Sequence, residues 1–421
     1  MQLNKARIFA ALSLVLIGSS ALAQTDTLRV ATYNLLKFSN LSANRIPFFR
    51  TVLRAIDPDI LVVQELDSQG AQMTFLNEVL NFEHADVYQR SPFVNGPDTD
   101  NSLYYKKERV TLVGNSQIKT DLRDFSEYTL SAGTLEFKIV SVHLKAGQEL
   151  DNENQRFNEA TILRKHLDRL PANSNFIVAG DFNLSSSSEL AFQELTGSEM
   201  DNDGRLWDPL DAIGTWHNNP LFATLHTQST RDSVFDDGSS GGLDDRYDLL
   251  LISKSLSVQE SMFLLPETYT AFGNDGRHFN LAIIDRINTA VPDSVARALY
   301  FASDHLPVYA DFVVDRVTTV ATFDGQQPPS GFVLNQNYPN PFNAATRITY
   351  SVAVPSHVVL RIYDVKGRTI RKLVDEDTLP GDYGIVWDGK NEADEDVASG
   401  VYFYKLKTEG AATVMQMVLL R

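Results

Sequence analysis

The amino-acid sequence predicts a layered α/β domain followed by a small all-β sandwich. Apolar strand-like runs alternate with helical runs through the first half of the 421-residue chain, as expected for a layered α/β domain. After residue 332, short alternating segments are separated by turn clusters and no helical period is evident, which is typical of a β-sandwich. Residues 324–330, which contain QQPP, indicate a linker between the two.

The N-terminal residues predict an export signal. Lys5 and Arg7 precede an apolar run at 8–17, and residues 21–23 (ALA) have the small-x-small form of a signal-peptidase site. The run is shorter than the ~20 residues that a membrane-spanning helix needs. We therefore predict cleavage after Ala23, no transmembrane span and a secreted or cell-surface protein.

Elements of both helical and strand type are expected in the first domain. Helices are predicted at 46–56, at 69–80, and along an apolar stripe from Phe157 to Leu170 that ends before Pro171. Residues 201–245 are rich in Asp, Asn, Gly and Ser and predict long surface loops, which often border a binding cleft. The predicted strands are 30–33, 60–63, 102–105, 137–142, 176–179, 249–253 and 308–314.

In the second domain, six alternating segments predict strands. Turn clusters at 364–367 (DVKG) and 388–391 (DGKN) separate some of them. The predicted strands are 347–352, 358–363, 369–374, 383–387, 401–406 and 413–420.

Charge and cysteine content exclude several kinds of site. The formal net charge is -17, and the excess lies in the first domain because residues 333–421 hold 10 Lys and Arg against 11 Asp and Glu. Such an acidic domain argues against DNA binding through a broad basic face, although a bound divalent cation would reverse the sign locally. The chain has no cysteine, so any metal must bind through oxygen or imidazole.

Polar side chains of metal-ligand or acid/base type are associated with the predicted strands. Buried strands rarely end in such residues without a functional reason. The residues are Asn34, Gln64 and Glu65, His143, Asp181 and Asn183 within 180–183 (GDFN), Asp248, and Asp304 and His305 within 303–305 (SDH).

Taken together and in this order, these residues closely resemble the endonuclease/exonuclease/phosphatase superfamily over residues 28–314. That superfamily includes DNase I-like nucleases, abasic-site endonucleases, sphingomyelinases and inositol-polyphosphate phosphatases. The resemblance implies a DNase I-like four-layer α/β (α+β) sandwich that hydrolyses phosphate esters with Mg²⁺ or Mn²⁺. The superfamily's residue types suit this chemistry, because a phosphodiester repels hydroxide and the site must neutralise charge and position a water.

The resemblance also implies a role for each matching residue. Glu65 is the principal metal ligand, with Asn34 and Asp304 completing the metal environment. His305 contacts the scissile phosphate or activates water, and Asp248 fixes its tautomer. The other roles are those of Asp181, which orients or deprotonates the water, Asn183, which donates to a phosphoryl oxygen, and His143, which binds phosphate or moves a proton to the leaving group.

The C-terminal segment resembles the FlgD-like sorting domains of type IX secretion. The matching residues are 334–343 (LNQNYPNPFN), 387–389 (WDG), 398–404 (ASGVYFY) and 417–421 (MVLLR). This implies an Ig-like sandwich that binds the outer-membrane export machinery, although a carbohydrate-binding or spacer module is an alternative.

The resulting domain assignment has four parts: a signal peptide at 1–23, a catalytic domain at 24–316, a linker at 317–332 and a sorting domain at 333–421. We expect a monomer that acts on extracellular nucleic acid. The alternatives are a phospholipid phosphodiesterase or phosphate-ester phosphatase, and a non-catalytic surface-binding module.

Two further patterns are less specific. Some abasic-site nucleases carry an acidic residue two places after the first Asn, where this chain has Leu36, so that subfamily fits less well. Residues 201–204 (DNDG) and the loop 236–245 are candidate structural Ca²⁺ sites, although neither has the spacing of an EF-hand. The basic residues of the third helix are predicted to form a solvated face.

Overall fold

The chain divides into two compact units, Met1–Val320 and Ala321–Arg421, each described by itself. The predicted signal peptide and nearly all of the predicted linker lie outside the described residues. Within the described part, no helix is long and apolar enough to cross a bilayer. The computed structural model describes residues 24–234, 238–258, 261–316, 332–337, 339–352, 355–364, 368–379, 381–408 and 412–421.

The first unit contains twelve described strands. They are β1 (Gln24–Phe38), β2 (Ile60–Leu66), β3 (Tyr88–Arg90), β4 (Asp100–Lys106), β5 (Thr111–Ile118), β6 (Phe125–Ala132), β7 (Leu135–His143), β8 (Phe176–Asp181), β9 (Leu206–Trp207), β10 (Asp248–Ser253), β11 (Met262–Ala271) and β12 (Val308–Arg316).

Five α-helices accompany these strands in the described part of the first unit. A π-helix, Phe75–Leu80, continues the second of them, and short 3-10 turns cover Ser42–Asn44, Pro220–Leu225 and Lys254–Ser257. The α-helices are α1 (Ile46–Ile56), α2 (Gln69–Thr74), α3 (Leu150–Leu167), α4 (Leu190–Thr196) and α5 (Asp293–Ala302).

The strands form two six-stranded sheets, ordered β11-β12-β1-β2-β4-β3 and β5-β6-β7-β8-β10-β9. Two pairs are parallel, β1 with β2 and β7 with β8. Strand β10 runs antiparallel to its neighbour β8, and strand β12 runs antiparallel to its neighbour β1. The carboxyl ends of the parallel strands and the amino ends of β10 and β12 therefore lie at corresponding ends of the sheets.

Side-chain alternation along the strands builds the layers, since successive residues point to opposite faces. In β1, Leu28 and Val30 pack between the two sheets, whereas Ala31 and Tyr33 pack against α1 and α5. The outer face of the second sheet packs against α3 and α4. The order is helices, sheet, sheet, helices, so the predicted four-layer sandwich is confirmed.

Helix α1 shows why the local sequence forms these elements. Its Phe49, Val52, Leu53 and Ile56 recur at helical spacing and are buried, and Pro47 lies in its first turn. The helix ends at Asp57, whose φ of 51° is left-handed. Helix α1 spans the predicted residues 46–56.

Helix α3 differs from prediction in its basic residues. Arg156 and Arg164 are buried, not solvated: Arg156 pairs with Glu189 at 2.7 Å, and Arg164 pairs with Asp168 at 3.0 Å. Each guanidinium also donates to backbone carbonyls of neighbouring loops, Arg156 to Lys145 and Arg164 to Gly197 and Asp201. These arginines hold loops against α3 through hydrogen bonds and ion pairs. Their guanidinium groups are buried for this reason, which the side-chain pattern alone did not indicate.

The second unit is all-β in its described residues. Its strands form a three-stranded sheet ordered β13-β14-β17 and a four-stranded sheet ordered β16-β15-β18-β19. The core between them includes Trp387, Tyr404 and Ile362. The strands are β13 (Phe332–Leu334), β14 (Thr346–Val352), β15 (Ser356–Asp364), β16 (Thr369–Thr378), β17 (Gly381–Trp387), β18 (Gly400–Lys407) and β19 (Ala412–Leu419), and they confirm the predicted small β-sandwich.

Candidate active site

The predicted site residues lie at one end of both sheets. Asn34 and Glu65 belong to the adjacent parallel strands β1 and β2, and His143 and Asp181 are register partners at the ends of β7 and β8. Asp248, the first residue of β10, lies opposite Asp181. Asp304 and His305 come just before β12. Residues from distant parts of the chain therefore reach one place because of strand direction.

A cleft of about 300 Å³ collects most of these side chains. Asn34 and Asp248 are buried beside the cleft and hydrogen-bond to residues that line it. The structure thus brings together all eight predicted site residues. Six of them line the cleft: Glu65, His143, Asp181, Asn183, Asp304 and His305.

Asn34 connects two carboxylates. Its Nδ2 donates to Oε1 of Glu65 at 3.1 Å and to Oδ2 of Asp181 at 3.0 Å, while its Oδ1 accepts from the backbone N–H of Leu36 at 2.9 Å. The second oxygen of Glu65 accepts from the backbone N–H of Lys37 at 2.9 Å. The amide therefore fixes the separation between a carboxylate of the first sheet and one of the second.

Several of these positions have left-handed backbone geometry. The φ angles of Leu36, Lys37, Glu65 and Asn183 are 49°, 46°, 63° and 52°. Non-glycine residues seldom adopt such angles, and those that do are concentrated at functional sites. Leu36, Lys37 and Glu65 lie near the carboxyl ends of β1 and β2, where the strand register shifts, and Asn183 follows β8.

Asp181 and Asn183 form a compact turn after β8. The backbone N–H of Asn183 donates to Oδ1 of Asp181 at 3.0 Å, and Nδ2 of Asn183 donates to the carbonyl of Leu144 at 3.1 Å. Burial raises the pKa of Asp181, and the charges of Asp248 and Glu65 act in the same direction, whereas His305 opposes the shift. A carboxyl group with a raised pKa can exchange a proton near neutral pH.

His305 pairs with Asp248. Its Nδ1 lies 2.8 Å from Oδ2 of Asp248, and its Nε2 lies 3.7 Å from Oδ2 of Asp181. Burial disfavours the charged ring, but the carboxylates of Asp248, Asp181 and Asp304 outweigh that cost and raise the pKa of His305 well above its usual value. Asp248 thus orients the ring and stabilises its positive form.

His143, unlike His305, favours the neutral form of its ring. Its Nε2 is 3.5 Å from Oδ2 of Asp181 and 3.9 Å from Oε1 of Glu65. Burial lowers its pKa well below the usual value, and the positive charges of Arg123 and His305 contribute. The cleft therefore holds one histidine that favours the neutral form and one that favours the charged form.

Sequence reasoning missed several residues that line the cleft. Arg123 lies in the loop before β6, where Nε binds Asp98 at 2.9 Å and Nη1 donates to the carbonyl of Leu144 at 3.1 Å. Gln228, Ser239 and Tyr247 come from the long segment before β10. The composition of residues 201–245 indicated loops near a cleft but did not distinguish these positions.

The long segment also departs from the prediction of surface loops. Trp216, His226, Thr227 and Arg231 are fully buried. Arg246, two residues before Asp248, pairs with Asp208 at 2.7 Å. Asp248 is therefore available to His305.

The donor set fits a hard divalent cation. The cleft offers carboxylate and carboxamide oxygens without a thiol, and Mg²⁺ needs only one or two carboxylates because it keeps several waters. Glu65 and Asp304 border the cleft, and Asn34 reaches Glu65 from behind it. The oxygen-rich lining and the size of the cleft suit an ion with bound waters.

A separate group of potential ligands lies in the long segment. Ligand atoms of His217, Asp244 and Asp245 lie within 4.8 Å of one another; Asp244 and Asp245 belong to the loop 236–245 predicted as a candidate Ca²⁺ site, whereas His217 lies outside it. Nδ1 of His217 is 2.8 Å from Oδ1 of Asp245. Burial and the charge of Asp245 raise the pKa of Asp244 to about 6.

Comparison with protein-family models gives two matches along the chain. The sequence model of the Endonuclease/Exonuclease/phosphatase family matches residues 31–330. The chain belongs to the endonuclease/exonuclease/phosphatase family. Members of this family hydrolyse phosphate esters and generally use divalent metal ions. Residues 340–412 match the model of the FlgD Ig-like domain, so the predicted family and C-terminal domain type are confirmed.

Several solved structures resemble the endonuclease/exonuclease/phosphatase part of the chain. TDP2 from D. rerio, complexed with single-strand DNA product, is 16% identical, with a TM-score of 0.44 over 68% of this chain and 98% of that chain. A family protein from Bacteroides thetaiotaomicron is 17% identical, with a TM-score of 0.41 over 72% and 100%. The human Nocturnin catalytic domain with bound sulfate is 18% identical, with a TM-score of 0.42 over 68% and 97%. No curated protein matches the sequence.

Proposed function

We propose that this chain is an exported, divalent-metal-dependent phosphodiesterase that hydrolyses nucleic acid outside the cell. One observation carries the proposal: the Asn34, Glu65 and Asp181 cluster and the His305–Asp248 pair face the same cleft. Phosphodiester hydrolysis needs both, because the cluster neutralises and positions the phosphate while the His305–Asp248 pair transfers a proton.

Glu65, Asn34 and Asp304 would hold the metal, and their oxygen donors favour Mg²⁺ or Mn²⁺. When bound, the ion would polarise a phosphoryl oxygen and offset the negative charge of the substrate. Lys37 and Arg123 border the same cleft and add positive charge in an otherwise acidic unit. The cleft can therefore attract a phosphodiester even though the surrounding surface repels it.

The remaining residues would act on the water and the leaving group. Asp181 would orient the attacking water and take its proton, a role suited to a carboxyl group whose pKa is raised by burial. His305, held by Asp248, would donate to the scissile phosphate. Asn183 would donate its second amide proton to a phosphoryl oxygen, since the first is given to Leu144. His143 would bind phosphate or pass a proton to the leaving oxygen.

Export would follow from the two ends of the chain. We propose that residues 1–23 are removed as a signal peptide and that residues 333–421 bind the type IX export machinery. The FlgD Ig-like match at 340–412 supports the second point. The catalytic domain would then be residues 24–316, joined by a linker at 317–332 and acting as a monomer at the cell surface or in the medium.

A cleavage assay tests the proposed activity. Protein beginning at Gln24 is incubated with Mg²⁺ or Mn²⁺ and with plasmid DNA, RNA, sphingomyelin liposomes or bis(p-nitrophenyl) phosphate. We expect cleavage of nucleic acid that EDTA and Asp181→Ala each abolish. Preferential liposome hydrolysis would identify a phospholipid phosphodiesterase instead, and folded, metal-loaded protein without turnover on any ester would refute the enzyme.

A further inference from the structure

Gln228 is held firmly by its backbone at the edge of the cleft. Its N–H donates to the carbonyl of Asp245 at 3.1 Å, and its carbonyl accepts from the N–H groups of Asp244 and Asp245 at 2.9 and 3.0 Å. It also forms an isolated bridge with His305. The backbone therefore fixes the point from which the Gln228 side chain enters the cleft.

The side-chain amide of Gln228 meets His305 on the edge opposite Asp248. Nε2 of Gln228 lies 2.6 Å from Nε2 of His305 and 3.5 Å from Oδ2 of Asp304. Nδ1 of His305 is already bound to Asp248 at 2.8 Å. Both ring nitrogens thus have a partner, so the imidazole is held at two points and cannot rotate without breaking a contact.

A carboxamide is suited to this position because it carries both a donor and an acceptor. Either orientation of the Gln228 carboxamide can therefore hydrogen-bond to Nε2 of His305. A methionine of similar length offers neither bond. A glutamate offers only an acceptor and adds a negative charge beside Asp304.

We propose that Gln228 is a positioning residue that holds the His305 ring in the orientation in which it meets the substrate phosphate. This role rests on the proposed phosphodiesterase function. Gln228 touches no reacting atom itself and acts through His305. Gln228 acts by placing the ring before substrate binds; on binding, Nε2 of His305 passes to the phosphate or the leaving oxygen while the Asp248 bond persists.

Steady-state kinetics test the proposal with bis(p-nitrophenyl) phosphate and Mn²⁺ on the full chain beginning at Gln24. In Gln228→Met we expect kcat to fall about 10- to 100-fold, as for other residues that orient a reacting group. KM should stay within about threefold of wild type because no substrate contact is removed. Gln228→Glu should also lower kcat, since shape alone does not restore the donor.

Gln416→Met is the matched control, because Gln416 is an exposed glutamine of the second unit. It should leave kcat and KM unchanged, and thermal melts should show that every variant is folded. If Gln228→Met keeps kcat within about twofold of wild type, or if it raises KM alone, the positioning role is wrong.

Nitrogen-15 NMR of histidine-labelled protein provides a readout independent of turnover. His305→Gln assigns the ring resonances. Gln228→Met should shift the Nε2 resonance of His305 while leaving Nδ1, which remains bound to Asp248, near its wild-type position. An unchanged Nε2 resonance would overturn the proposal. If the wild-type protein cleaves no phosphodiester while Gln228→Met still shifts the Nε2 resonance of His305, the enzyme is refuted and the contact is preserved.

Discussion

At the scale of single residues, the site depends on pairings between side chains that no local pattern connects. Asn34 and Asp181 are 147 positions apart and share a hydrogen bond of 3.0 Å. Asp248 gives one oxygen to His305, and its other oxygen, Oδ1, has no hydrogen-bond partner among the described residues. A buried acceptor of this kind makes the identity of residue 248 critical.

The Asp248–His305 pair leads to a direct prediction. Asp248→Asn keeps the shape but removes the negative charge that orients the His305 ring and stabilises its positive form, so the ring is a poorer donor to the phosphate. We expect kcat to fall about 10²- to 10⁴-fold. Asp293→Asn, at an exposed surface pair with Arg297, is the control and should retain full activity. Retention of more than a tenth of wild-type kcat by Asp248→Asn would contradict the assigned role.

Sequence reasoning predicted the eight grouped residues because each lies within or next to an apolar strand or belongs to a recognisable motif. Arg123 and Gln228 had no such marker, since loop positions carry neither alternation nor helical spacing. Their value arises from tertiary contacts, such as the 2.6 Å approach of Gln228 to His305. Residues of this kind become visible only when the fold is known.

At the scale of elements, the predicted strands that carry the site were found, whereas several others were missed. The burial pattern of β5 alternates between exposed and half-buried positions and has little apolar content, so its sequence gives a weak signal. Helix α5, which the sequence analysis did not predict, buries Val295 and Leu299 together with three alanines, Ala296, Ala298 and Ala302. The predicted helix 69–80 was found, but it changes from α to π geometry at Phe75.

The junction between β7 and β8 requires glycine. Gly180 has a φ of +151°, and an added Cβ would lie 1.9 Å from the carbonyl oxygen of Val142. We expect Gly180→Ala to cost at least about 3 kcal/mol in urea unfolding, because backbone must move beside Asp181. Gly241→Ala has a φ of +118° but no atom within 4 Å, and should cost only about 1 kcal/mol. Equal losses would show that strain, not the clash, dominates.

Glu127 of β6 links β7 to α3. It lies 2.9 Å from Nζ of Lys138 and 2.7 Å from Nε2 of His166. Burial opposes its ionisation, but hydrogen bonds from His166 and Lys138 outweigh that cost and lower the pKa to about 2. A carboxyl group whose pKa is lower in the folded state stabilises the fold at pH values above its unfolded pKa of about 4.3. This contribution is lost as the pH falls toward 2.

We therefore expect Glu127→Gln to be less stable than wild type by about 1–2 kcal/mol at pH 6. The difference should shrink steadily below pH 4.3, which urea unfolding at pH 6, 4 and 3 measures. Glu108→Gln, at an exposed position, should show no such dependence. A difference that is constant with pH would mean that the ionised carboxylate contributes nothing.

At the scale of the whole molecule, each unit has its own apolar core. Trp387 is fully buried in the second unit, where it packs against Phe342 and Tyr402. Trp216 is fully buried in the first unit against Phe192. Two cores of this kind allow two separate unfolding transitions.

Calorimetry with two tryptophan variants tests this independence. Trp387→Ala should destabilise the second unit by about 3–5 kcal/mol, lowering one transition and leaving phosphodiesterase activity intact. Trp216→Ala should lower the other transition and reduce activity on heating. If both variants shift both transitions together, the units unfold as one.

The convergence of Asn34 and Glu65 from one sheet with His143, Asp181 and Asp248 from the other has a lasting consequence. Under the proposed function, a fragment that forms only one sheet would lack part of the site, because the predicted site residues come from both sheets. Loss of turnover should therefore report separation of the two sheets before either sheet has lost the hydrogen bonds between its own strands. Activity is then a sensitive measure of how closely the two sheets pack.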